Sequence, residues 1–393
     1  MPRNIWLLII GMAINVTGAS FIWPLNTIYM HNELGESLAF AGVILMLNQG
    51  FAIVGNLIGG SLFDRWGGYK TILTGSSIAV VAATLLAFFH TITAYTLLLI
   101  VMGFGSGITR PAMFAMAGSV WPEGGRRAFN SIYVAQNLGV ALGASIGGFV
   151  AAFSFGYIFI ANAAIYILFF IYVFLTYKNM DTNTHTGYAG VKALNTKIKD
   201  KTAFRALLIL SVGFFMCWIG YVQWQTTIAS YTQDLGIPIN QYSLLWTING
   251  FLIVASQPIL KIVTKKIEDP RKHIYIGNTI FILSFIVVLY AQSFTMFAVA
   301  MVILTIGEML VWPAIPTLAN QLAPKGRTGF YQGFINSVST AGHMIGPLLG
   351  GFIVDQYHIE ILFYILIGLF IIPYWTTYRY NKGLPAEKEL HTS

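Results

Sequence analysis

Long apolar runs dominate the chain, and short polar stretches separate them. Runs of about 20 residues have the length that an α-helix needs to cross the hydrocarbon core of a membrane. The pattern therefore predicts an all-α polytopic membrane protein with twelve membrane-spanning helices. We number these helices spans 1 to 12 and expect them at residues 5–30, 38–63, 71–90, 95–120, 128–154, 157–177, 204–230, 241–263, 273–292, 295–321, 329–354 and 360–378.

The composition excludes an ordinary soluble protein. Hydrophobic residues make up 56% of the 393 residues, charged residues make up 9%, and the mean hydropathy is +0.70. A soluble domain carries about 25% charged residues, because polar groups must cover its surface. The single cysteine, Cys217, lies inside an apolar run and allows no intramolecular disulfide.

The basic residues indicate the membrane topology. The net charge is +8, and the Lys and Arg residues lie almost entirely in loops on one side of the twelve-span pattern. The opposite loops and their edges contain acids instead, namely Glu33, Glu36, Asp234, Asp355 and Glu360. Because short cytoplasmic loops are rich in Lys and Arg, we expect both termini to be cytoplasmic and expect no nucleic-acid partner.

Residues 178–203 form the one long polar connection, and lysines are frequent in it. This connection divides the spans into two groups of six. We expect an N-terminal six-helix bundle at 1–177, a cytoplasmic linker at 178–203, a C-terminal six-helix bundle at 204–378 and a cytoplasmic tail at 379–393. No connection is long enough to hold a soluble catalytic or nucleotide-binding domain.

Three short motifs recur between the two halves at shifts of 201 to 203 residues. They are Glu33-Leu34-Gly35 with Asp234-Leu235-Gly236, Pro111-Ala112 with Pro313-Ala314, and the glycine series from Gly139 with the series from Gly342. Three matches in register indicate two parallel structural repeats, related by an axis along the membrane normal.

A charged motif joins spans 2 and 3, where we expect a very short turn. Its spacing is Gly-x-x-x-Asp-Arg-x-Gly with a lysine shortly after, and its residues are Gly60, Asp64, Arg65, Gly67 and Lys70. The glycines allow a tight turn and a close approach of two backbones. The carboxylate can accept hydrogen bonds from the neighbouring arginine or from the open N–H groups at the start of another helix.

Spans 5 and 11 carry closely spaced small residues, which allow helices in a membrane to approach each other closely. The series in span 5 is Gly139, Gly143, Gly147 and Gly148, and the series in span 11 is Gly342, Gly346, Pro347, Gly350 and Gly351. We therefore expect both series to be helix-packing motifs.

The charged motif and the doubled six-span pattern resemble the major facilitator superfamily along the whole chain. The glycine series of span 11 resembles the Gly-x-x-x-Gly-Pro-x-x-Gly-Gly signature of its bacterial drug:proton antiporters, whereas span 5 has Ala144 in place of the proline. The resemblance implies two six-helix bundles that rock around a midplane cavity. It also implies a cytoplasmic gate in which Asp64 contacts the start of span 11, near Gly329 and Phe330.

Glu308 is the carboxyl group placed deepest in a predicted span. An ionised carboxylate at the centre of a bilayer costs at least about 2.5–3.5 kcal/mol on insertion scales. Glu308 is therefore a candidate for proton coupling, because a buried acid can load and release a proton as water access changes. The alternative is a glutamate that is permanently protonated or paired and braces neighbouring helices.

Two further titratable residues lie inside spans. Arg110 either faces the cavity, where it pairs with Glu308, with an anionic substrate or with carbonyls exposed by Pro111, or extends toward the cytoplasmic side. His343 either titrates or is a neutral, hydrogen-bonded histidine in a packed interface. His343 and Asp64 are the next candidates if Glu308 does not carry the proton.

Polar and aromatic residues in the spans are candidates for a substrate cavity. Walls with many aromatic rings and few charges suit amphipathic or cationic organic substrates. The candidates are Asn15, Arg110, Gln136, Trp218, Tyr221, Gln225, Asn249 and Trp312.

The favoured function is secondary active transport by alternating access, as proton-coupled efflux of small hydrophobic or amphipathic compounds. The expected partners are a small-molecule substrate, protons and the lipid bilayer, and we expect a monomer without cofactor, metal or enzyme activity. Alternatives on the same fold are proton-coupled uptake of a sugar, organic acid or peptide, and lipid flipping. A membrane receptor that has lost transport is a further alternative.

Overall fold

The computed structural model describes residues 1–22, 26, 29–36, 38–151, 155–180 and 201–382. These residues form helices joined by short turns, and they contain no β-strand. Most of the predicted linker and tail, residues 181–200 and 383–393, lies outside the described residues.

The long helices follow the predicted order of spans. Spans 1 to 6 are Arg3–Ile22, Leu38–Trp66, Gly68–Leu86, Ile92–Val120, Arg126–Ala151 and Phe155–Thr176. Span 7 consists of two helices, Lys201–Val222 and Thr227–Asp234. Span 8 likewise consists of Ile239–Ala255 and Gln257–Lys266. Spans 9, 10 and 11 are Pro270–Leu289, Phe294–Leu322 and Thr328–Gln356. Span 12 consists of Ile359–Leu369 and Ile372–Arg379.

Length and composition support the membrane assignment. Ten helices among the described residues are long and apolar enough to cross a membrane, and the bent pair of span 8 makes up to eleven. Span 5 is a further helix of 26 residues. Large apolar side chains also point outward, since Phe88, Leu175 and Phe251 are at least 69% exposed. Exposed apolar surface on this scale is expected where lipid covers it. The all-α polytopic fold class is therefore confirmed.

The prediction of a turn over the charged motif is wrong in extent. Span 2 continues as a helix to Trp66, and span 3 begins at Gly68. Only Gly67 separates the two helices, and its φ of +79° lies in the region that glycine adopts without steric penalty. Gly60 and Asp64 are therefore held rigidly on the last turns of span 2.

Two spans of the second half are broken. Span 7 changes to a 3₁₀ turn at Gln223–Gln225 before it resumes at Thr227. The two parts of span 8 meet at an angle of 57°. Pro258, in the first turn of the second part, has no N–H to continue the helical hydrogen bonds, which explains the bend.

The chain divides into two compact units: Met1–Lys197 with Lys325–Ser337, and Ile198–Pro324 with Val338–Ser393. In the first unit, span 4 packs on spans 2 and 3, span 1 packs on spans 5 and 6, and span 6 packs on span 3. In the second unit, span 10 packs on spans 8 and 9, and span 12 packs on spans 7 and 9. Four pairs of the first unit thus recur at equivalent positions in the second unit, as expected for two repeats.

Candidate functional site

Glu308 lies at the midpoint of span 10, with fourteen helical residues on either side in Phe294–Leu322. At a rise of 1.5 Å per residue, about 21 Å of helix separates it from each end. Its side chain is 1% exposed. The sequence-predicted proton carrier is therefore buried in the middle of a membrane-spanning helix.

Both carboxylate oxygens of Glu308 have hydrogen-bond donors. Asn249 on span 8 donates from Nδ2 to Oε1, and Trp312 donates from Nε1 to Oε2 at 3.3 Å. Asn249 Nδ2 also lies 3.0 Å from Thr305 Oγ1, and that hydroxyl donates to the carbonyl of Met301. Spans 8 and 10 are thus joined at this acid by buried hydrogen bonds.

Trp312 connects this carboxylate to a cluster of aromatic rings. Its ring stacks on Trp218 of span 7, with centroids 4.3 Å apart and planes at 3°. Its ring also contacts the rings of Phe214, Tyr221 and Phe281 at centroid distances of 5.4 to 5.7 Å. Four predicted cavity residues, namely Trp218, Tyr221, Asn249 and Trp312, therefore lie together beside Glu308. Gln225 is half-buried in the 3₁₀ turn of span 7.

His343 on span 11 lies at the edge of this cluster. Its ring centroid is 4.3 Å from that of Trp218, and its Nδ1 is 3.1 Å from the carbonyl oxygen of Ser339. These contacts are those of a histidine packed between helices.

The other cavity candidates lie in the first unit. Arg110 is half-buried in span 4, and it interacts electrostatically with Tyr166 of span 6, whose hydroxyl hydrogen-bonds Ser106. Asn15 in span 1 is 7% exposed, and Gln136 in span 5 is half-buried. A common cavity that includes these residues and Glu308 stays a prediction.

Asp64 contacts the start of span 11. Its Oδ1 accepts a hydrogen bond from the N–H of Gly329 at 2.7 Å, and its Oδ2 accepts one from Phe330 at 2.8 Å. These N–H groups lie in the first turn of the helix, where no intrahelical acceptor exists and the helix dipole favours an anion. The sequence analysis considered two partners for this carboxylate, Arg65 and the start of another helix. In the structure it binds the helix start, while the side chains of Arg65 and Lys70 are exposed.

Glycines bring spans 2 and 11 into backbone contact at this point. A Cβ on Gly60 would overlap the carbonyl group of Gly329, and a Cβ on Gly329 would overlap the carbonyl oxygen of Gly60. A Cβ on Gly333 would similarly overlap the carbonyl oxygen of Asn56. The close approach places the N–H groups within reach of Asp64.

In both glycine series, every fourth residue contacts a neighbouring helix. A Cβ on Gly139, Gly143 or Gly147 would lie 2.5 to 2.8 Å from atoms of span 1, and one on Gly342, Gly346 or Gly350 would overlap atoms of span 7. Gly351 differs from the prediction, because no atom lies within 4 Å of a Cβ built there. It faces away from span 7, since neighbouring helical positions point about 100° apart. Gly148 and Pro347 lie in the helices of the two series.

Two residues that are not among the cavity candidates belong to these contacts. Thr305 is three residues before Glu308, a spacing that places both on one helix face and could have indicated it. Gln223, fully buried, donates from Nε2 to the carbonyl oxygens of Ile219 and Gly346. Within the described residues, no group of three or more His, Cys, Asp or Glu side chains could hold a metal ion.

Known proteins similar to this chain cover it almost completely. The model of the Major Facilitator Superfamily matches residues 8–231 and 225–390. The chain is 55% identical to the uncharacterized MFS-type transporter YttB of Bacillus subtilis, over 99% of this chain and 98% of that protein. It is 23% identical to the quinolone resistance protein NorA of Staphylococcus aureus, over 94% of each chain.

Solved structures share the fold. The human organic anion transporter MFSD10 superposes with a TM-score of 0.73 at 12% identity, over 96% of this chain and all of that one. The peptide transporter POT superposes with a TM-score of 0.72 at 17% identity, over 97% of this chain and 96% of that one. With the matched family model and the close relative, these findings show that the chain belongs to the Major Facilitator Superfamily and is a multi-pass membrane transporter of small molecules, not an enzyme.

Proposed function

We propose that this transporter is a proton-coupled exporter of small aromatic or amphipathic compounds, with Glu308 as the proton carrier. The observation that carries the proposal is the contact between Glu308 and Trp312 at the centre of span 10. This contact joins a buried acid to an aromatic surface, which are the two elements that exchange of protons for aromatic substrates requires.

The cost of burying the acid supports a role for its charge. A neutral residue at this position would avoid a penalty of at least about 2.5–3.5 kcal/mol. With the site open outward, Glu308 takes up a proton from the more acidic side. With the site open inward, it releases that proton as substrate binds, so that one carboxylate enforces exchange.

The aromatic surface supports the substrate class. Trp218, Tyr221 and Trp312 offer large ring faces, to which flat or amphipathic molecules bind without fixed hydrogen bonds. Glu308 adds a negative charge beside these rings when it is ionised, which favours cationic aromatic compounds. The similarity to a quinolone resistance protein agrees with export of such compounds.

The test compares Glu308→Gln with wild type in proteoliposomes, with ethidium, a planar aromatic cation, as the probe. Gln mimics the protonated acid, so the variant should keep ethidium exchange in the absence of a pH gradient and lose accumulation driven by the gradient. Glu360→Gln is the matched control, because Glu360 is an exposed acid in the first turn of span 12. Gradient-driven accumulation by Glu308→Gln at the wild-type rate would place the proton carrier elsewhere.

Uptake of an organic anion is a second candidate function. The half-buried Arg110 in span 4 favours it, because a guanidinium inside a span can bind a carboxylate substrate. Transport into inside-out membrane vesicles separates the two functions by direction: an exporter accumulates the probe in them, whereas an importer does not.

We also propose that the protein lies in the cytoplasmic membrane with both termini in the cytoplasm, and that the Asp64 contact forms a gate. The similarity to bacterial transporters supports a place in the cytoplasmic membrane, and the one-sided basic loops support cytoplasmic termini. The hydrogen bonds from Gly329 and Phe330 to Asp64 support a cytoplasmic gate that holds the ends of spans 2 and 11 together.

A further inference from the structure

Trp312 makes two contacts of different kinds. Its indole N–H donates to Glu308 Oε2 at 3.3 Å, and the face of the same ring stacks on Trp218 at 4.3 Å. Because the indole is rigid and planar, the direction of its N–H and the orientation of its face cannot change independently. A change at the carboxylate therefore reorients the aromatic surface, and a change at that surface moves the N–H.

Asn249 and Trp312, which both donate to Glu308, differ in how they are held. Asn249 is fixed by a second contact to Thr305, and that hydroxyl is itself bonded to the backbone of span 10. Trp312 is surrounded by aromatic rings on spans 7 and 9, which do not hold its N–H in place. Asn249 thus anchors the carboxyl group, whereas the bond to Trp312 is the one that an aromatic ligand can disturb.

Building on the proposed proton coupling, we propose that Trp312 is the positioning residue that links the charge of Glu308 to substrate affinity. Ionised Glu308 makes a charge-assisted hydrogen bond, which is roughly twice as strong as the bond to a neutral acid. That bond holds the indole in the orientation that presents its face to a substrate. Protonation weakens the bond, the ring is released, and substrate affinity falls.

Thermodynamic linkage gives the reverse effect without a further contact. If protonation of Glu308 lowers substrate affinity, substrate binding must by the same factor favour proton release. This is the sign that exchange of a proton for a substrate requires. The link operates for uncharged aromatic substrates as well, because it acts through ring orientation and not through attraction between two charges.

Trp218 provides a matched control within the same stacked pair. Its Nε1 is buried and has no hydrogen-bond partner among the described residues. Replacing either tryptophan by phenylalanine removes one indole N–H and keeps a ring for stacking. Only Trp312→Phe removes a donor to Glu308.

Other titratable groups near the pair must be excluded as sources of a pH effect. On the helices packed near Trp312 they are Cys217 and Tyr221 on span 7, Tyr242 on span 8, and His343 on span 11; on span 9, His273 lies two turns before Phe281, the ring that contacts Trp312. Among these groups, His343 is the histidine that contacts the pair, through Trp218, and an unperturbed imidazole has a pKa of about 6.5. A His343→Asn variant is therefore included.

The experiment measures ligand-induced thermal shifts of the purified full-length protein at pH 5.5 to 8, with coumarin as an uncharged aromatic probe and ethidium as a cationic one. Wild type and His343→Asn should bind coumarin about tenfold more tightly at high pH than at low pH, a typical coupling between two sites. Trp312→Phe and Glu308→Gln should bind it equally at all pH values. Trp218→Phe should bind it more weakly but keep the pH dependence.

A second replacement guards against a misfolded phenylalanine variant. Benzothienylalanine, which has sulfur in place of the indole N–H and nearly the same shape, is introduced at position 312 and, as its control, at position 218. A wild-type pH dependence with this residue at 312 overturns the proposal, as does the absence of any coumarin or ethidium shift in wild type.

If Trp312→Phe loses the pH dependence but Glu308→Gln retains it and still accumulates ethidium, the proposed proton carrier is wrong. If only the 312 variants behave as wild type, the proton carrier stands and the role of Trp312 fails.

Discussion

The two carboxylate oxygens of Asp64 accept hydrogen bonds from successive N–H groups, Gly329 at 2.7 Å and Phe330 at 2.8 Å. The side chain thereby acts as an N-cap for a helix to which it does not belong. It is 8% exposed, so water competes little for these bonds. Charge-assisted bonds in such a setting contribute more than neutral ones.

We expect Asp64→Asn to fold but to transport more slowly. An amide has one acceptor and one donor group, so its NH₂ would face a backbone N–H and one bond would be lost, at a cost of about 1.5–3 kcal/mol. The end of span 2 and the start of span 11, which meet at Asp64, would then separate more easily. Ethidium transport in proteoliposomes and the unfolding temperature measure the two effects. Glu268→Gln, an exposed acid between spans 8 and 9, is the control. Turnover equal to wild type would mean that the motif affects only the membrane topology and takes no part in transport.

Single residues differ in how far the sequence predicts their contacts. The partner of Asp64 was predictable, because a helix start offers unpaired N–H groups and a motif resemblance indicated which helix. The contact of Trp312 with Glu308 follows from their spacing of four residues on one helix. The bond from Asn249 was not predictable, because 59 residues separate it from Glu308 and periodicity does not specify which helix faces meet.

At the scale of helices, every fourth residue of the glycine series of span 5 contacts span 1. A Cβ on Gly143 would lie 2.5 Å from the carbonyl oxygen of Thr17 and 2.8 Å from the Cβ of Ser20. Backbone atoms cannot move aside as the end of a side chain can, so an added methyl group separates the helices.

We expect Gly143→Ala to destabilise the protein by about 1–3 kcal/mol, the usual cost of overpacking. Gly351→Ala should be neutral or slightly stabilising, because no atom lies within 4 Å of the new Cβ and alanine favours helix by up to about 1 kcal/mol. Unfolding temperatures in detergent measure both changes. Equal effects of the two substitutions would show that the close contact of spans 1 and 5 contributes nothing to stability.

The hydrophobic pattern predicts where helices lie better than where they break. A run of apolar residues specifies length but contains no information about a one-residue break such as Gly67. The bend of span 8 follows from Pro258, whose effect on a helix is known in advance. The 3₁₀ turn at Gln223–Gln225 depends on buried bonds from Gln223 to spans 7 and 11, which only the folded structure contains.

At the scale of the whole molecule, the internal repeat of the sequence corresponds to the repeat of helix pairs in the two units. Motifs at a constant shift indicate equal elements, and equal elements bury their apolar faces in the same way. The residues that we propose for proton coupling and substrate binding do not follow the repeat. Ser106 and Arg110 in span 4 occupy the positions that Glu308 and Trp312 occupy in span 10. The acid at this position in span 10 thus has no counterpart at the equivalent position in span 4.

The one-sided distribution of basic residues gives a prediction about the orientation of the whole chain. Glu33 follows span 1 and Asp234 is the last residue of span 7; both are exposed and occupy equivalent positions in the repeat, whereas Lys266 is exposed at the end of span 8. Because Lys and Arg are retained in the cytoplasm, we expect the two acidic positions outside and the basic one inside.

Single cysteines at these three positions test the orientation, in a Cys217→Ser background that removes the one native thiol. A membrane-impermeant maleimide applied to intact cells should label Glu33→Cys and Asp234→Cys, and should label Lys266→Cys only after the cells are permeabilised. Labelling of all three positions after permeabilisation is the internal control for accessibility. Labelling of Lys266→Cys alone in intact cells would show that the protein has the opposite orientation in the membrane. The Asp64 contact would then lie on the outer side, and Glu308 would have to load its proton through the opposite opening.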